Sequence, residues 1–240
     1  MTNPGRLILI PTTISADSTA SVIPAGTIDR LAQLRYFLAE NPRTTRRYLS
    51  SLRIFDSIEA LSVEVLDKDT RATELKRLFE PLMEGHDVGV LSESGCPGVA
   101  DPGSLAVRYA HDHGIKVVPL VGPSSILLSL MASGLNGQCF AFQGYLPIDQ
   151  KEAASQIRRL EKVSVQLSQT QIFIETPYRN KAVYDRLVAN LLPDTLLCVA
   201  IDVTGKYEFI RCKPVAWWKM QTMDWPKQPA VFLFLAASQG

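Results

Sequence analysis

Short apolar, β-branched runs that alternate with stretches of helical period leave a chain few folds, because parallel strands need a crossover and a helix is the usual one. Strand-like runs occur here at 7–10, 36–39, 61–65, 88–91, 116–120, 139–143, 171–175, 196–201, 208–212 and 230–235. Helical spacing or caps mark 27–34, 44–51, 70–84, 102–113, 124–133, 151–167, 180–191 and 215–220. In the stretch at 70–84, Leu75, Leu78, Phe79 and Leu82 recur on one face, although Pro81 stands near its last turn. Up to Leu120 strand and helix alternate strictly; beyond Leu196 three strand-like runs follow with little helix between them. The expected class is α/β in two domains, a parallel sheet over 1–121 and a mixed sheet over 122–240, with the joint at the turn-rich Val121-Gly122-Pro123.

Charge narrows the function classes. Twenty-five Lys plus Arg against 24 Asp plus Glu give a net charge of +1, which excludes a polybasic coat for nucleic acid. Any nucleic-acid contact is therefore local. The stretch 117–138 carries no charge, but Pro119, Gly122, Pro123, Ser129, Ser133 and Gly134 interrupt it, so it reads as strand, loop and helix rather than a membrane span. Cys96, Cys139, Cys198 and Cys212 form no Cys-x-x-Cys pair and have no nearby His, so neither a metal site nor a disulfide framework is expected. The opening residues lead straight into an apolar strand without a cationic leader, so the expected location is cytoplasmic, with no membrane partner.

Signatures for dinucleotides, NTPs, zinc hydrolysis and serine esterases are all absent. His86, His111 and His113 are the only histidines, and the last two sit at a helix end. The informative segment is Ser92-Glu-Ser-Gly-Cys-Pro-Gly-Val-Ala-Asp-Pro-Gly103, a Gly/Pro-rich loop between a strand's carboxyl end and a helix. Open α/β sheets bind ligands at such ends, where loop amides lie exposed. Capping by Asp101 with Pro102 at the first helical position explains part of it, but not so many Gly and Pro in one loop. Gly122-Pro-Ser-Ser-Ile126 is a second strand-end loop, where helix capping by Ser124 or Ser125 competes equally with ligand contact. Glu175-Thr-Pro-Tyr-Arg179 closes a third strand with a carboxylate, an aromatic ring and a guanidinium.

Leu91-Ser-Glu-Ser-Gly-Cys-Pro-Gly-Val-Ala-Asp-Pro-Gly103 resembles the pattern Ser-Asp-Ala-Gly-Thr-Pro-x-Ile-Ser-Asp-Pro-Gly. Val117-Val-Pro-Leu-Val-Gly-Pro-Ser-Ser125, Phe142-Gln-Gly-Tyr-Leu-Pro147, Phe173-Ile-Glu-Thr-Pro-Tyr-Arg179 and the opening Pro11-Thr-Thr-Ile14 match further blocks of the same pattern in order. On these segments the chain resembles the tetrapyrrole methylase superfamily of S-adenosylmethionine-dependent methyltransferases, in the branch of ribosomal RNA small subunit methyltransferase I, which methylates a cytidine ribose 2'-oxygen. The resemblance implies a Rossmann-like first domain, a cofactor cleft between two α/β domains, and a homodimer. It assigns S-adenosylmethionine contacts to Ile14, Glu93, Cys96, Ser124, Ser125 and Ile126, and further ones near Ile174, Ala200 and Ala230.

Ala39-Glu-Asn-Pro-Arg-Thr-Thr-Arg-Arg-Tyr48 corresponds to the family block Ala-Glu-Asp-Thr-Arg-His-Thr, with Asn41, Pro42 and Thr44 replacing Asp, Thr and His, while Glu93 replaces an Asp. Glu40, Asn41 and Arg43 are the candidate substrate-facing residues, and Arg46 and Arg47 the candidate phosphate contacts, on a helix expected to project away from the Gly95 loop. A solvated helix face accounts for the same basic cluster. RNA of the small ribosomal subunit is the expected acceptor. A small tetrapyrrole-like acceptor, and a cofactor-binding regulatory protein without catalysis, are the alternatives.

Overall fold

The apolar runs become the strands of two sheets in the computed structural model, which describes residues 4–15 and 18–236. The chain divides into two units, the first ending at Ser124 and the second beginning at Ser125. The first contains β1 (Leu7–Ile10), α1 (Thr19–Val22), α2 (Ala25–Ala32), β2 (Tyr36–Ala39), α3 (Pro42–Ser51), β3 (Ser62–Val65), α4 (Ala72–Leu78), α5 (Glu80–Met83), β4 (Val88–Leu91), α6 (Gly103–Asp112) and β5 (Val117–Pro119). All its strand pairs are parallel, in the order β3-β2-β4-β1-β5.

Alternation along each strand splits this unit's core into two layers. Leu7, Leu38, Val88 and Val90 pack with Leu75, Phe79 and Leu82 of the α4–α5 region and Ala106 and Ala110 of α6. Ile8, Ile10, Phe37, Ala39 and Leu91 pack on the other side with Leu31 of α2 and Leu49 of α3. The expected single helix at 70–84 is instead two, because Phe79 takes φ −100° and ψ 2° and ends α4. Pro81 then falls in the first turn of α5, where its missing N–H leaves no helical bond unmade. At the amino end of the sheet Asp87 accepts from the Arg6 amide at 2.7 Å and pairs with the guanidinium groups of Arg6 and Arg30 at 2.7 and 2.9 Å.

The second unit contains α7 (Ser125–Ser133), β6 (Phe140–Phe142), α8 (Gln150–Leu167), β7 (Thr170–Glu175), α9 (Asn180–Asn190), β8 (Leu196–Ile201), β9 (Phe209–Pro214), α10 (Val215–Trp218) and β10 (Ala230–Leu235). Its sheet is mixed, in the order β6-β7-β10-β8-β9, with β6 and β7 parallel and the other pairs antiparallel. Phe173, Val199, Phe232 and Phe234 form one face of the core, covered by Ile157 and Leu160 of α8, Val183 and Leu187 of α9, and Trp218. Glu161 is buried in α8, but its carboxylate accepts from the Leu192 amide at 2.8 Å and the Thr195 hydroxyl at 2.5 Å, so its burial is structural. Among the described residues no helix is long and apolar enough to cross a membrane.

Candidate functional site

In the first unit the loops that follow β1, β4 and β5 converge, because those strands are neighbours and parallel. The Thr12 amide donates to the Gly95 carbonyl at 2.9 Å and the Thr12 hydroxyl to the Ser92 carbonyl at 3.1 Å, tying the first loop to the second. The Cys96 thiol lies 3.4 Å from the Pro123 carbonyl, tying the second loop to the third. Burial, with the Asp101 carboxylate adding to it, pushes that thiol up from its ordinary value, so Cys96 is held as a neutral contact. Gly95 has φ +73°, and a side chain there would stand 3.2 Å from Ile14 Cγ2 and 3.4 Å from the Pro123 carbonyl. A Cβ at Gly122 would collide with the Pro11 ring. These glycines let three backbones approach at the strand ends.

Asp101 shapes the middle loop. Its Oδ1 accepts from the amides of Gly98 at 2.5 Å and Gly103 at 2.8 Å. The helix itself begins at Gly103 with Pro102 at its N-cap, one residue later than the sequence suggests. Asp101 therefore fastens the loop through side-chain acceptance, while the cap position passes to its neighbour.

Ile14, Glu93 and Cys96 are thus brought to one loop cluster, with Ser124 at the end of the same unit. Ile14 and Cys96 are half-buried and Glu93 is exposed. Glu40, Asn41 and Arg43 follow β2, which is the direct neighbour of β4, with Ala39 opposite Leu91. The Thr44 hydroxyl donates to the Glu93 carboxylate at 2.6 Å. The α3 block and the Gly95 loop therefore adjoin, which corrects the expectation that α3 projects away from that loop. Register is the reason: adjacent parallel strands deliver their following segments to the same edge. Asn41 spends its carboxamide oxygen as the N-cap of α3, accepting from the amides of Arg43 and Thr44 at 3.0 and 3.4 Å. Arg46 donates to the carbonyls of Ile58 at 2.9 Å and Leu61 at 3.2 Å, binding α3 to the segment before β3. Of the arginines on α3, Arg43 and Arg47 are the exposed ones.

The remaining predicted cofactor residues lie in the second unit. Ser125 and Ile126 begin α7, which packs on β9 and β10. Ile174 and Ala200 flank Val231 from the two neighbouring strands, and Ala230 starts β10. Ala200 and Ala230 are buried, so they offer no free side-chain surface. Glu175, at the end of β7, is buried beside the Arg179 guanidinium at 3.3 Å, and Arg179 also donates to the Leu146 carbonyl at 3.1 Å. The Asn180 carboxamide donates to the Gln228 carbonyl at 2.7 Å, while its buried oxygen has no hydrogen-bond partner among the described residues. A separate cavity of about 300 Å³, lined by Phe209, Arg211, Trp217 and Asp224 among others, was not legible in the sequence, since its walls come from β9, α10 and the following loop.

An all-parallel unit followed by a mixed one, with loops gathered at strand ends, places the chain in the tetrapyrrole methylase class of fold. The crystal structure of the methyltransferase CobJ shares it with a TM-score of 0.64 at 18% identity, over 97% of this chain and 95% of that one. Diphthine synthase shares it with a TM-score of 0.63 at 15% identity, over 97% and 90%. No family-level sequence profile matches the chain. Ribosomal RNA small subunit methyltransferase I of Bacillus subtilis is 31% identical over 208 residues, covering 86% of this chain and 67% of that protein. The enzyme of the same name from Vibrio cholerae is 29% identical over 210 residues, covering 88% and 69%. The chain belongs to the ribosomal RNA small subunit methyltransferase I family and is an S-adenosylmethionine-dependent methyltransferase.

The residues present fit that cofactor. The loop cluster combines the glycine approach at Gly95 and Gly122, carbonyls and hydroxyls that suit an ammonium and a ribose, a carboxylate at Glu93 and an apolar wall at Ile14.

Proposed function

We propose that the chain methylates RNA of the small ribosomal subunit, at the ribose 2'-oxygen of a cytidine. One observation carries this reading: the Thr44–Glu93 hydrogen bond joins the segment bearing Glu40, Asn41 and Arg43 to the loop assigned to the cofactor. The relatives, which are ribosomal RNA small subunit methyltransferases by name, support the choice of acceptor. S-adenosylmethionine, when bound, supplies an electrophilic methyl carbon on a sulfonium. The chain's own residues hold the acceptor oxygen in line with that carbon, and orientation of this kind supplies much of the acceleration. Glu40 and Glu93, exposed carboxylates that follow the neighbouring strands β2 and β4, are the groups proposed to take the proton that leaves the hydroxyl. Arg43 and Arg47 are the exposed cations for phosphate.

Incubation with methyl-labelled cofactor and either small ribosomal subunits or small-molecule pools tests the proposal. Label in the RNA is expected. Label confined to a small acceptor replaces this reading with the tetrapyrrole-like one, and cofactor binding without transfer leaves a regulatory protein. The enzyme is further proposed to act in the cytoplasm as a homodimer, consistent with its near-zero net charge. Sedimentation at micromolar concentration should give twice 26.5 kDa, and a species at 26.5 kDa itself would reject the dimer.

A further inference from the structure

β9 is the edge strand of the second unit's sheet, and its antiparallel register with β8 sets Cys198 directly opposite Cys212. Opposed residues in such a ladder alternate between hydrogen-bonded and non-hydrogen-bonded pairs. The Val215 amide donates to the Thr195 carbonyl at 2.9 Å, one step beyond the Leu196–Pro214 pair in the same register. Thr195 and Val215 are therefore a hydrogen-bonded pair, Leu196 and Pro214 a non-hydrogen-bonded one, Leu197 and Lys213 a bonded one, and Cys198 and Cys212 again non-bonded. Pro214 agrees, since it has no amide hydrogen and occupies a position where the ladder asks for none. Non-hydrogen-bonded pairs hold their Cα atoms about 4.5 Å apart with side chains leaning together, inside the roughly 4.4–6.8 Å that a disulfide spans.

Both cysteines are free thiols, and their opposition in the register brings the two sulfurs close enough to influence each other's ionisation. They are not equivalent. Cys198 is fully buried, whereas Cys212 is half-buried on the edge strand. The Cys198 thiol beside it, opposed by burial and helped by the Lys213 charge, lowers Cys212 below an ordinary thiol. The neighbouring Cys212 sulfur, with burial, raises Cys198. The half-buried member is the better nucleophile and the fully buried member is placed to resolve what forms on it.

We propose that Cys198 and Cys212 are a redox modification site, converted in the folded protein to an intrachain cross-strand disulfide by a small disulfide of the glutathione class. The Cys212 thiolate attacks one sulfur of glutathione disulfide; a bond forms to Cys212, the glutathione S–S bond breaks, and one glutathione thiolate leaves and takes up a proton. Cys198 then loses its proton to solvent and its sulfur attacks the Cys212 sulfur, expelling the second glutathione, which takes up a proton. Two protein thiols are oxidised by two electrons and one glutathione disulfide is reduced to two thiols. The bond fastens edge strand β9 to β8. Because α7 packs against β9 and β10, it also steadies the bed of the helix that begins with Ser125 and Ile126.

The test is peptide mapping of the full chain after equilibration in a glutathione redox buffer, acid quench and alkylation. In the native protein the expected result is a linked Cys198–Cys212 peptide, loss of both alkylation sites and recovery of both with dithiothreitol. Cys198→Ser should accumulate glutathione on Cys212, because the resolving sulfur is gone, and Cys212→Ser should leave Cys198 unmodified. If the buried Cys198→Ser change prevents folding, the wild-type map and Cys212→Ser still decide. Alkylation of both residues in native protein under a buffer that glutathionylates Cys96 or Cys139 would overturn the proposal, as would a link formed only in urea.

Discussion

At Glu93 one carboxylate on the loop after β4 accepts from Thr44 of α3, so the proposed cofactor contact and the fastening of α3 can be separated by substitution. Glu93→Gln keeps the shape and loses the charge, and the expected result is weaker S-adenosylmethionine binding by about 1–3 kcal/mol in titration calorimetry. An unchanged dissociation constant would remove Glu93 from the cofactor contacts and leave it as the partner of Thr44 alone. Tyr48 gives a prediction of the opposite sign. It lies on α3 with its hydroxyl buried and without a hydrogen-bond partner among the described residues, and burial pushes the phenol up to about 12. The folded state therefore carries the cost of desolvating that group without the compensating bond. Tyr48→Phe removes the oxygen and should raise stability by about 1 kcal/mol, read as a higher Tm by calorimetry. A lower Tm would mean that the hydroxyl makes a contact through solvent.

The helix α3 shows how far an element can be read from its own residues. Its existence is legible over 44–51, but it begins two residues earlier, at Pro42, because Asn41 caps it, and Thr45 and Leu49 form its buried face. The central strands were legible for the same local reason, since each is a short apolar run bounded by turn residues, as at Val88–Leu91 before the Gly/Pro loop. What was not legible depends on partners distant in sequence. Thr44 reads as a departure from a family block until the β2–β4 register sets it against Glu93, 49 residues away. Arg46 reads as one of several cations until its guanidinium is found on the Ile58 and Leu61 carbonyls. The single turn α1 has no periodic pattern to announce it, and the break at Phe79 depends on where Pro81 falls within a helical turn. The arginines consequently divide. Arg46→Ala should cost about 1–3 kcal/mol of stability by leaving two carbonyls without their charged donor. Arg47→Ala should leave stability unchanged, weaken RNA binding and flatten its salt dependence by a slope of roughly 0.7–0.9 for one lost phosphate contact. Urea melts and filter binding at several salt concentrations measure the two effects; RNA binding indifferent to Arg47 would return that residue to the solvated surface.

At the scale of the whole molecule, each unit solves a different strand-pairing problem. The first sheet is parallel and covered on both faces, so its ligand loops collect at one edge and its opposite edge is left to stability. That opposite edge is where Asp87 holds Arg6 before β1 and Arg30 on α2, a fixed ionic clasp joining two neighbouring strands and a helix. Partial burial works against the Asp87 charge, but the hydrogen bonds from Arg6 and the charges of Arg6 and Arg30 outweigh it and hold the carboxyl below its usual value of 3.8. A carboxyl whose folded value is depressed adds stability that is complete above the unfolded value and is lost as pH falls through the folded one. The contribution should therefore be whole at pH 7, begin to fall as pH drops to about 4 and be lost as pH passes through the lower folded value. Solvent reaches both partners, so Asp87→Asn should cost only about 1 kcal/mol at neutral pH. Trp217, Trp218 and Trp225 all lie in the second unit, which makes tryptophan emission the wrong reporter for this edge. Amide exchange at β1 and β4 reads the first sheet directly. Faster exchange in Asp87→Asn at pH 7, with the difference from wild type closing towards pH 3, is the expected outcome; a difference that persists at acid pH would show that the carboxylate's charge is not what the clasp contributes.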